Sequence, residues 1–493
     1  MIGRLKSFLL ENKTNRQTVA KNTFWLTFSN IGGRLLRAGV IIYAARVLGA
    51  YQWGIFNYAI TIATFCTLFA DLGMGKALWR EVPRAETEDK KFSLIGSALV
   101  GTTVLALIYT IIIAFIAPLF VPQNKTEILA ILPIVAIIVL FDTLRESTSN
   151  INRATEHSEK EAAAYLLTNI LILIAGSIFL LVRPNLISFA WAYAVGTAVG
   201  FLFALALLGK TISKSISKAS LATARALVKE SWAFTASALF GATMINLDIV
   251  LIGIMRGAED VGIYSAANRI VQMLYLLPAV LSISVTPMLS RIAEDKINLR
   301  KNLEKIFGVI FLLSVPIAIG GIITAGPIIQ LIFGNAYSAS VPSLQVLLLI
   351  ILVDFPISIV STAIFVLGKQ KNLIAYSAIA AIINVVGDLL LIPKFGIVGS
   401  AVTTLVAQSA ASAYLWTKLY QVQQYNIWPT ISRIILQTIP MVIVTGILVF
   451  TFRANALVAI SSGAAIYIGV LIISKDPLLK ELLEIVRLQK KTA

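Results

Sequence analysis

The chain has 493 residues, of which 58% are hydrophobic and 13% charged, and its formal net charge is +17. Soluble domains are nearer one half apolar and one quarter charged, so this composition indicates an integral membrane protein. A single cysteine, Cys66, and a single histidine, His157, exclude a disulfide framework and argue against a Cys/His metal site. Because lysines and arginines lie mainly between apolar runs, we interpret the net charge as a topology signal and not as nucleic-acid binding.

Residues 1–21 contain no cleavable apolar core, and their pattern predicts a short amphipathic helix on the cytoplasmic membrane surface. Fourteen apolar segments follow, each long enough to cross about 30 Å of hydrocarbon. We predict membrane helices at 22–48, 53–73, 92–119, 127–150, 162–181, 187–208, 229–255, 261–289, 303–325, 341–367, 373–392, 396–420, 429–452 and 455–474. This pattern predicts an all-α integral membrane protein.

These segments group into a predicted domain order. A first six-helix lobe spans 22–209, a cytoplasmic linker rich in Ser, Thr and Lys spans 210–228, and a second six-helix lobe spans 229–420. Two further helices fill 421–474, and the tail 475–493 has the pattern of a second amphipathic surface helix. Basic residues cluster in alternate connections, which predicts that both termini are cytoplasmic.

Two stretches 208 residues apart resemble each other. Residues 49–56 read GAYQWGIF and residues 257–264 read GAEDVGIY, each in the short gap between two long apolar segments. Six spans separate equivalent positions, and because six is even, both lobes insert with the same orientation. The predicted architecture is therefore two six-helix lobes related by a pseudo-twofold axis along the membrane normal, and proteins of this type are mostly transporters.

Charged residues inside the spans mark the predicted site. Arg34 lies about 18 Å along the first helix, and Arg37 is its neighbour one turn further on the same face. An arginine at mid-bilayer costs about 3 kcal/mol, so this pair indicates either a water-filled, anion-binding cavity or side chains that snorkel or pair structurally with an aspartate. Gly32, Gly33 and Gly39 flank the pair and are compatible with a bend or with close packing.

Arg269 is a third basic residue within a span. Acidic residues also lie in or near the spans, at Asp71, Asp142, Asp248, Asp354 and Asp388. Each of these carboxylates either couples transport to a proton or a sodium ion or forms a structural ion pair, and the sequence leaves both readings open. Taken together, the charges favour a polar central cavity for an anionic substrate.

Several stretches resemble the polysaccharide transporters, or Wzx-type flippases, of the multidrug/oligosaccharidyl-lipid/polysaccharide (MOP) flippase superfamily. They are the first helix with its arginine pair and the segments 46–49 (RVLG), 246–248 (NLD), 262–269 (GIYSAANR) and 392–401 (IPKFGIVGSA). The resemblance covers essentially the whole chain and implies a MATE-like fold. It implies a flippase that moves a polyprenyl-pyrophosphate-linked oligosaccharide across the cytoplasmic membrane by alternating access, for O-antigen, capsule or exopolysaccharide synthesis. It also makes Arg34, Arg37 and Arg269 the expected contacts of pyrophosphate or acidic sugar, since an arginine fork matches phosphate geometry.

Other functions stay open at this point. A peptidoglycan lipid-precursor flippase and a cation-coupled multidrug exporter belong to the same superfamily. A membrane oligosaccharide polymerase or ligase is a third alternative, but the outer loops are short and hold no evident nucleophile, so we expect no enzymatic activity and no catalytic residue. We expect no cofactor beyond a coupling proton or sodium ion, no metal and no nucleic acid. We also expect a monomer that works in the cytoplasmic membrane, beside a glycan polymerase or ligase.

Overall fold

The computed structural model describes residues 14–116 and 126–479, and within these ranges the chain is helical, with no strand. The helices are α1 (Asn15–Asp71), α2 (Met74–Glu81), α3 (Glu88–Ile111), α4 (Thr126–Ala154), α5 (Ser158–Val182), α6 (Leu186–Leu208), α7 (Lys210–Ile216), α8 (Leu221–Met255), α9 (Ala258–Leu274), α10 (Leu276–Ile292), α11 (Lys296–Ile332), α12 (Val341–Val366), α13 (Lys371–Val422), α14 (Trp428–Gly446) and α15 (Ala456–Ile473). Short π-helical turns extend α3 and α14, and a 3₁₀ turn precedes α12. The predicted surface helices at both chain ends fall mostly outside the described residues.

The chain forms two compact units. The first ends at Ala242 and the second begins at Thr243, so that the boundary lies within α8. Ten helices of the described residues are long and apolar enough to cross a membrane. The predicted all-helical membrane fold is thus confirmed, whereas the count of fourteen spans and the domain boundaries stay predictions.

Helix starts follow local sequence signals. The side chains of Thr87, Asn185 and Asn455 each accept a hydrogen bond from a backbone N–H in the first turn of α3, α6 and α15. Asp295 does the same for α11, and these bonds, that from Asn298 first, lower the pKa of its carboxyl group. Each signal was readable in the sequence because an N-cap needs only a short polar side chain at the right position.

The repeated motif has a conformational basis. Gly49 (φ 74°, ψ 173°) bends α1 between its two halves, and Gly257 (φ 100°, ψ −177°) precedes α9. Both pairs of angles lie in a region that is essentially restricted to glycine. Nothing lies within 4 Å of a Cβ built on either residue, so the backbone and not the available space requires glycine. The two units therefore share a sharp turn at matched positions.

Replacing Gly257 with alanine should therefore destabilise the protein by about 1–3 kcal/mol, because the turn would become strained. Gly446 is a matched control, since it has helical angles (φ −61°, ψ −47°) and also has nothing within 4 Å of a built Cβ. Gly446→Ala should be neutral or slightly stabilising. Thermal unfolding of both variants in detergent checks this, and equal midpoints would contradict the conformational argument.

Small residues bring neighbouring helices close together in the first unit. Gly196 and Gly200 on α6 form a Gly-x-x-x-Gly pair that faces α5. A Cβ on Gly196 would lie 3.0 Å from the backbone nitrogen of Ile172, and one on Gly200 would lie 2.0 Å from Oγ1 of Thr168. In a bilayer, where apolar burial gives no preference between helix and lipid, such backbone approach is a main source of helix association.

Glycines also allow close helix packing in the second unit. Gly396 (φ 59°, ψ −140°) divides α13 into two halves that pack against each other. A Cβ on Gly399 would lie 2.5 Å from the carbonyl oxygen of Leu391, and one on Gly387 would lie 2.5 Å from Cγ2 of Thr403. This tight hairpin brings polar residues of its two halves together within the membrane.

Candidate functional site

Arg37 points into the first unit, where neutral groups hold it. Its Nε donates to Oδ1 of Asn169 at 3.0 Å, and its guanidinium carbon lies 6.0 Å from the ring centre of Tyr193. Its Nη2 is buried and has no hydrogen-bond partner in the part of the chain that the structure describes. No carboxylate of the described residues lies within ion-pair distance of Arg37. The guanidinium is thus positioned by an amide and an aromatic ring and keeps donor capacity for a ligand.

The glycines beside Arg37 allow α1 to pack closely against α5. A Cβ on Gly33 would lie 2.2 Å from Cε1 of Tyr165 on α5, and one on Gly32 would lie 3.2 Å from Leu166. At Gly39 the nearest atom, on Leu173, is 3.9 Å away, so that position is less restricted. Of the two interpretations that the sequence left open, the structure therefore supports packing of α1 against α5. The bend of α1 lies further along, at Gly49.

Arg34 is placed differently. It is exposed on the surface of the first unit and forms no hydrogen bond or ion pair with any residue that the structure describes. If α1 crosses the membrane as the sequence predicts, an arginine at this position needs water, a lipid headgroup or an anionic ligand beside it.

Asp142 belongs to an ion-pair cluster in the C-terminal half of α4. Nη2 of Arg145 lies 3.0 Å from Oδ1 of Asp142 and 3.6 Å from Oε2 of Glu146. The guanidinium of Arg145 also lies 5.3 Å from the ring centre of Tyr165, the side chain that contacts Gly33. Asp142 is therefore held by a cation, as the structural interpretation expects.

We expect Arg145→Met to destabilise the protein by about 2 kcal/mol. Arg145 is 5% exposed, and its removal would leave Asp142 and Glu146 without a cation. Because these carboxylates are 40% and 50% exposed, the cost falls below that of a fully buried pair. Adding Asp142→Asn should recover part of the loss in a thermal unfolding series. If Arg145→Met instead keeps the wild-type stability but loses transport, the ion pair of Arg145 and Asp142 has a gating role.

Asp71 has a capping role. Its Oδ1 accepts the backbone N–H of Gly75 at 3.0 Å across the turn formed by Leu72 (φ 45°) and Gly73 (φ 76°). This bond satisfies a free N–H at the start of α2. The contact favours the structural interpretation of Asp71 over a coupling role.

Asp248 lies in a buried polar cluster of the second unit. Its Oδ2 accepts hydrogen bonds from the Tyr264 hydroxyl at 2.7 Å and from Oγ1 of Thr404 at 3.0 Å. Its Oδ1 is buried without a partner. Nδ2 of Asn384 donates to Oγ1 of Thr404 at 3.3 Å and closes the cluster.

Asp388 completes this cluster and is the least satisfied member. It is fully buried, both of its carboxylate oxygens lack a hydrogen-bond partner, and Asp248 lies close enough to repel it. No ion pair in the described part of the chain involves either aspartate. Two neighbouring carboxylates cannot both stay charged in such surroundings without a cation. We call Asp248, Asp388, Tyr264, Asn384 and Thr404 the carboxylate cluster.

Arg269 and Asp354 also lie in the second unit. Nη1 of Arg269 contacts Oε1 of Gln272 at 3.4 Å, and Asp354 accepts a hydrogen bond from Tyr275 at 2.6 Å. The shared cavity that the sequence predicted for Arg34, Arg37 and Arg269 stays a prediction, since the first two belong to the other unit. Within the described residues, no group of three or more His, Cys, Asp or Glu side chains is arranged to hold a metal ion.

Comparison with known proteins assigns the chain to a family. Residues 19–293, more than half of the chain, match the family described as polysaccharide biosynthesis protein. The chain belongs to this family. Residues 235–390 also match the family described as MatE.

Two relatives of this polysaccharide biosynthesis protein match along most of their length. The putative O-antigen transporter of Shigella flexneri is 22% identical over 431 residues, which cover 83% of this chain and 100% of the relative. The probable low-salt glycan biosynthesis flippase Agl15 of Haloferax volcanii is 24% identical over 467 residues, covering 92% and 93%. A shorter match, 29% identical over 171 residues, spans 34% of this chain and 36% of the probable flippase AglR of the same organism.

Solved structures confirm the predicted fold. The lipid II flippase MurJ in an inward closed conformation superposes with a TM-score of 0.73 at 19% identity, covering 92% of this chain and 99% of that one. An inward-facing multidrug resistance MATE transporter of the MOP superfamily gives 0.66 at 13% identity, covering 85% and 97%. At such identities the likeness establishes the fold alone.

Sequence reasoning missed the neutral partners in this polysaccharide biosynthesis protein. Asn169 and Thr404 were not singled out, and Tyr264 was noted only as part of the repeated motif, although these residues hold Arg37 and Asp248. One signal was available, because Asn384 and Asp388 are four residues apart and therefore share a helix face. Tyr264 and Asp248 are 16 positions apart, whereas the contacts of Arg37 with Asn169 and of Asp248 with Thr404 join residues more than 100 positions apart, which no local pattern reveals.

Proposed function

We propose that this protein is a flippase that moves a polyprenyl-pyrophosphate-linked oligosaccharide across the cytoplasmic membrane for polysaccharide synthesis. The observation that carries the proposal is Arg37, a guanidinium in the first predicted membrane span that Asn169 and Tyr193 hold, with a buried Nη2 that has no partner among the described residues. Membership of the polysaccharide biosynthesis family and relatives named as an O-antigen transporter and a glycan flippase support the same assignment.

The substrate explains why a cation is kept at this depth. A pyrophosphate cannot cross hydrocarbon unaided because the burial of an unpaired charge is very costly. An arginine in a low-dielectric site offsets that cost and binds phosphate oxygens through two parallel N–H donors. We assign Arg34, Arg37 and Arg269 to contacts with the pyrophosphate or with acidic sugars, in an alternating-access cycle that moves the headgroup while the lipid chain stays in the bilayer.

We assign coupling to the carboxylate cluster. Asp248 and Asp388 are two buried carboxylates that form no ion pair with the described residues, and of the two only Asp248 accepts hydrogen bonds, from Tyr264 and Thr404. Uptake of a monovalent cation, either a proton or a sodium ion, would remove the repulsion between them. Release of that cation on the other side of the membrane would then favour the opposite conformation of the transporter.

The remaining assignments follow from this function. We place the protein in the cytoplasmic membrane with both termini in the cytoplasm, acting as a monomer without catalytic residues or a resident cofactor. A glycan polymerase or ligase is its expected partner, because a lipid-linked oligosaccharide needs such an enzyme after it has crossed.

The test uses purified protein in vesicles that contain a fluorescent polyprenyl-pyrophosphate oligosaccharide. Transport is the fraction of headgroup that becomes accessible to a membrane-impermeant quencher, compared with protein-free vesicles. Parallel vesicles carry the peptidoglycan lipid precursor or a cationic dye. Movement of the oligosaccharide lipid alone supports the proposal, whereas preference for the peptidoglycan precursor or for the dye assigns the protein to one of the alternative transporter classes.

A further inference from the structure

The second unit contains a break in a membrane helix. Helix α9 ends at Leu274 and α10 begins at Leu276, with Tyr275 (φ −64°, ψ −9°) between them. Pro278 explains the break, because it has no N–H to donate to the carbonyl group of Leu274. The chain is therefore locally weakened at this point.

A carboxylate on a neighbouring helix holds the break. The Tyr275 hydroxyl donates to Oδ2 of Asp354 on α12 at 2.6 Å, while Oδ1 of Asp354 is buried without a partner. Further along the same two helices, Oγ of Ser282 lies 3.4 Å from Oγ of Ser358. Pro356 also removes one hydrogen bond from α12 beside Asp354. The hydrogen bond between Tyr275 and Asp354 thus joins α10 and α12 at points where a proline has removed a backbone hydrogen bond from each helix.

Among the described residues, none of the charged groups on the helices around Asp354 forms an ion pair with it. It is the only ionisable residue of α12, and α11 has none between Ile306 and its end. The titratable or charged groups of the other elements packed against α12 are Tyr337 of the 3₁₀ turn, Glu259, Asp260, Tyr264 and Arg269 of α9, Tyr275 at the break, Arg291 of α10, and Lys371, Tyr376, Asp388, Lys394, Tyr414, Lys418 and Tyr420 of α13. Tyr275 bonds the carboxylate, Tyr376 is close enough to interact with it, and Arg269 contacts Gln272. No ion pair of the described residues includes Asp354.

The repeat shows that this isolation is specific to the second unit. Asp142 of α4 and Asp354 of α12 occupy corresponding helices of the two halves. Three residues after Asp142 stands Arg145, which pairs with it, but three residues after Asp354 stands Ile357. One aspartate is neutralised by an arginine, whereas the other has only the hydroxyl group of a tyrosine.

We propose that Asp354, together with Tyr275, is a proton-binding site separate from the carboxylate cluster, and that its occupancy sets the stiffness of the helix break. A proton from water binds to Oδ1 and converts the carboxylate into a neutral carboxylic acid. The bond from Tyr275 then loses its charge assistance and roughly half of its strength, so that the break can move. The proposal goes beyond the flippase assignment and does not depend on which substrate is carried.

Infrared spectroscopy of the full-length protein in lipid nanodiscs tests the site directly. Between about pH 5 and 9, the absorption of protonated carboxyl groups should contain a component that disappears in Asp354→Asn. That component should persist in the Asp248→Asn/Asp388→Asn double variant, and Tyr275→Phe should move its titration midpoint to higher pH, because the ionised form loses a donor. If Asp354→Asn leaves the carboxyl absorption unchanged across this range, Asp354 binds no proton and the proposal is overturned.

Hydrogen exchange tests the effect on the helix. Peptides that cover Leu274 to Pro278 should exchange at least about threefold faster in the protonated state, after correction for the chemical exchange rate. In Asp354→Asn they should exchange fast at every pH. Ser282→Ala is the matched control, since it removes the neighbouring interhelical contact without a carboxylate and should keep the pH dependence. Equal pH dependence in wild type and Asp354→Asn would overturn the link to the break. None of these readouts requires transport, so they are independent of the flippase test.

Discussion

Replacing Arg34 with alanine is expected to reduce turnover of the lipid-linked oligosaccharide roughly 100-fold, because a hydrogen-bonded charge contributes about 1.5–3 kcal/mol. Arg34 forms no hydrogen bond or ion pair with the described residues, so its loss should leave the thermal unfolding midpoint unchanged. Arg37→Ala should abolish turnover too, but should also lower stability, because Arg37 contacts Asn169 and Tyr193. The measurement is the initial rate of headgroup quenching in vesicles, alongside unfolding in detergent.

Two further variants make this experiment decisive. Arg46→Ala is the matched control on the same helix. Arg46 is exposed and lies just before the bend at Gly49, where we expect a membrane anchor, so its loss should leave turnover unchanged. Arg34→Leu separates a ligand contact from exposure to lipid. If Arg34 faces acyl chains, leucine should preserve transport and raise stability, and that result would contradict the proposed anion site.

Asp388→Asn is expected to abolish the dependence of transport on a cation gradient, with a loss of at least roughly tenfold in gradient-driven rate, as coupling energies of 1–3 kcal/mol imply. Asp388 is fully buried with both oxygens unpartnered, and Asp248 repels it. An amide in this place removes the charge, so the folded protein should be as stable as the wild type or more stable. A variant that is inactive but stable would therefore be defective in coupling and not in folding.

Separate gradients identify the ion. Vesicles with only a sodium gradient or only a pH gradient are compared for wild type, Asp388→Asn and the control Asp260→Asn. Asp260 forms an exposed ion pair with Arg256 at 3.2 Å at the start of α9, so this variant should keep the wild-type response. Full gradient dependence in Asp388→Asn would remove the carboxylate cluster from the coupling mechanism.

The candidate aspartates show how local and tertiary information differ. In the sequence, Asp71, Asp142 and Asp388 are equivalent, since each is a carboxylate in or near an apolar segment. The structure separates them, because Asp71 accepts the N–H of Gly75, Asp142 pairs with Arg145, and Asp388 is buried without a partner. The first two contacts join residues three or four positions apart, so a closer reading of helix spacing would have favoured them.

The contacts that hold Arg37 and Asp248 could not be predicted from the spacing of residues in the sequence. The partner of Arg37 is Asn169, which is 132 positions away, and Thr404 reaches Asp248 across 156 positions. Arg37 meets Asn169 because glycines draw α1 onto α5, and Thr404 lies beside Asn384 because glycines draw the halves of α13 onto each other. Which of several buried polar residues faces a given charge then depends on the helix rotation, which side-chain packing decides.

The sequence by itself determined the membrane class, the helical segments, the repeated turn at Gly49 and Gly257 and the presence of charges within the spans. Each of these features depends on residues close together in the chain. A membrane span is recognised from the apolar residues of a single segment, and the backbone angles of a glycine are a local property. Only the tertiary structure decided which charges are neutralised and which stay without a partner. That distinction depends on contacts between distant helices, and it marks Arg37 and the carboxylate cluster as the residues to test.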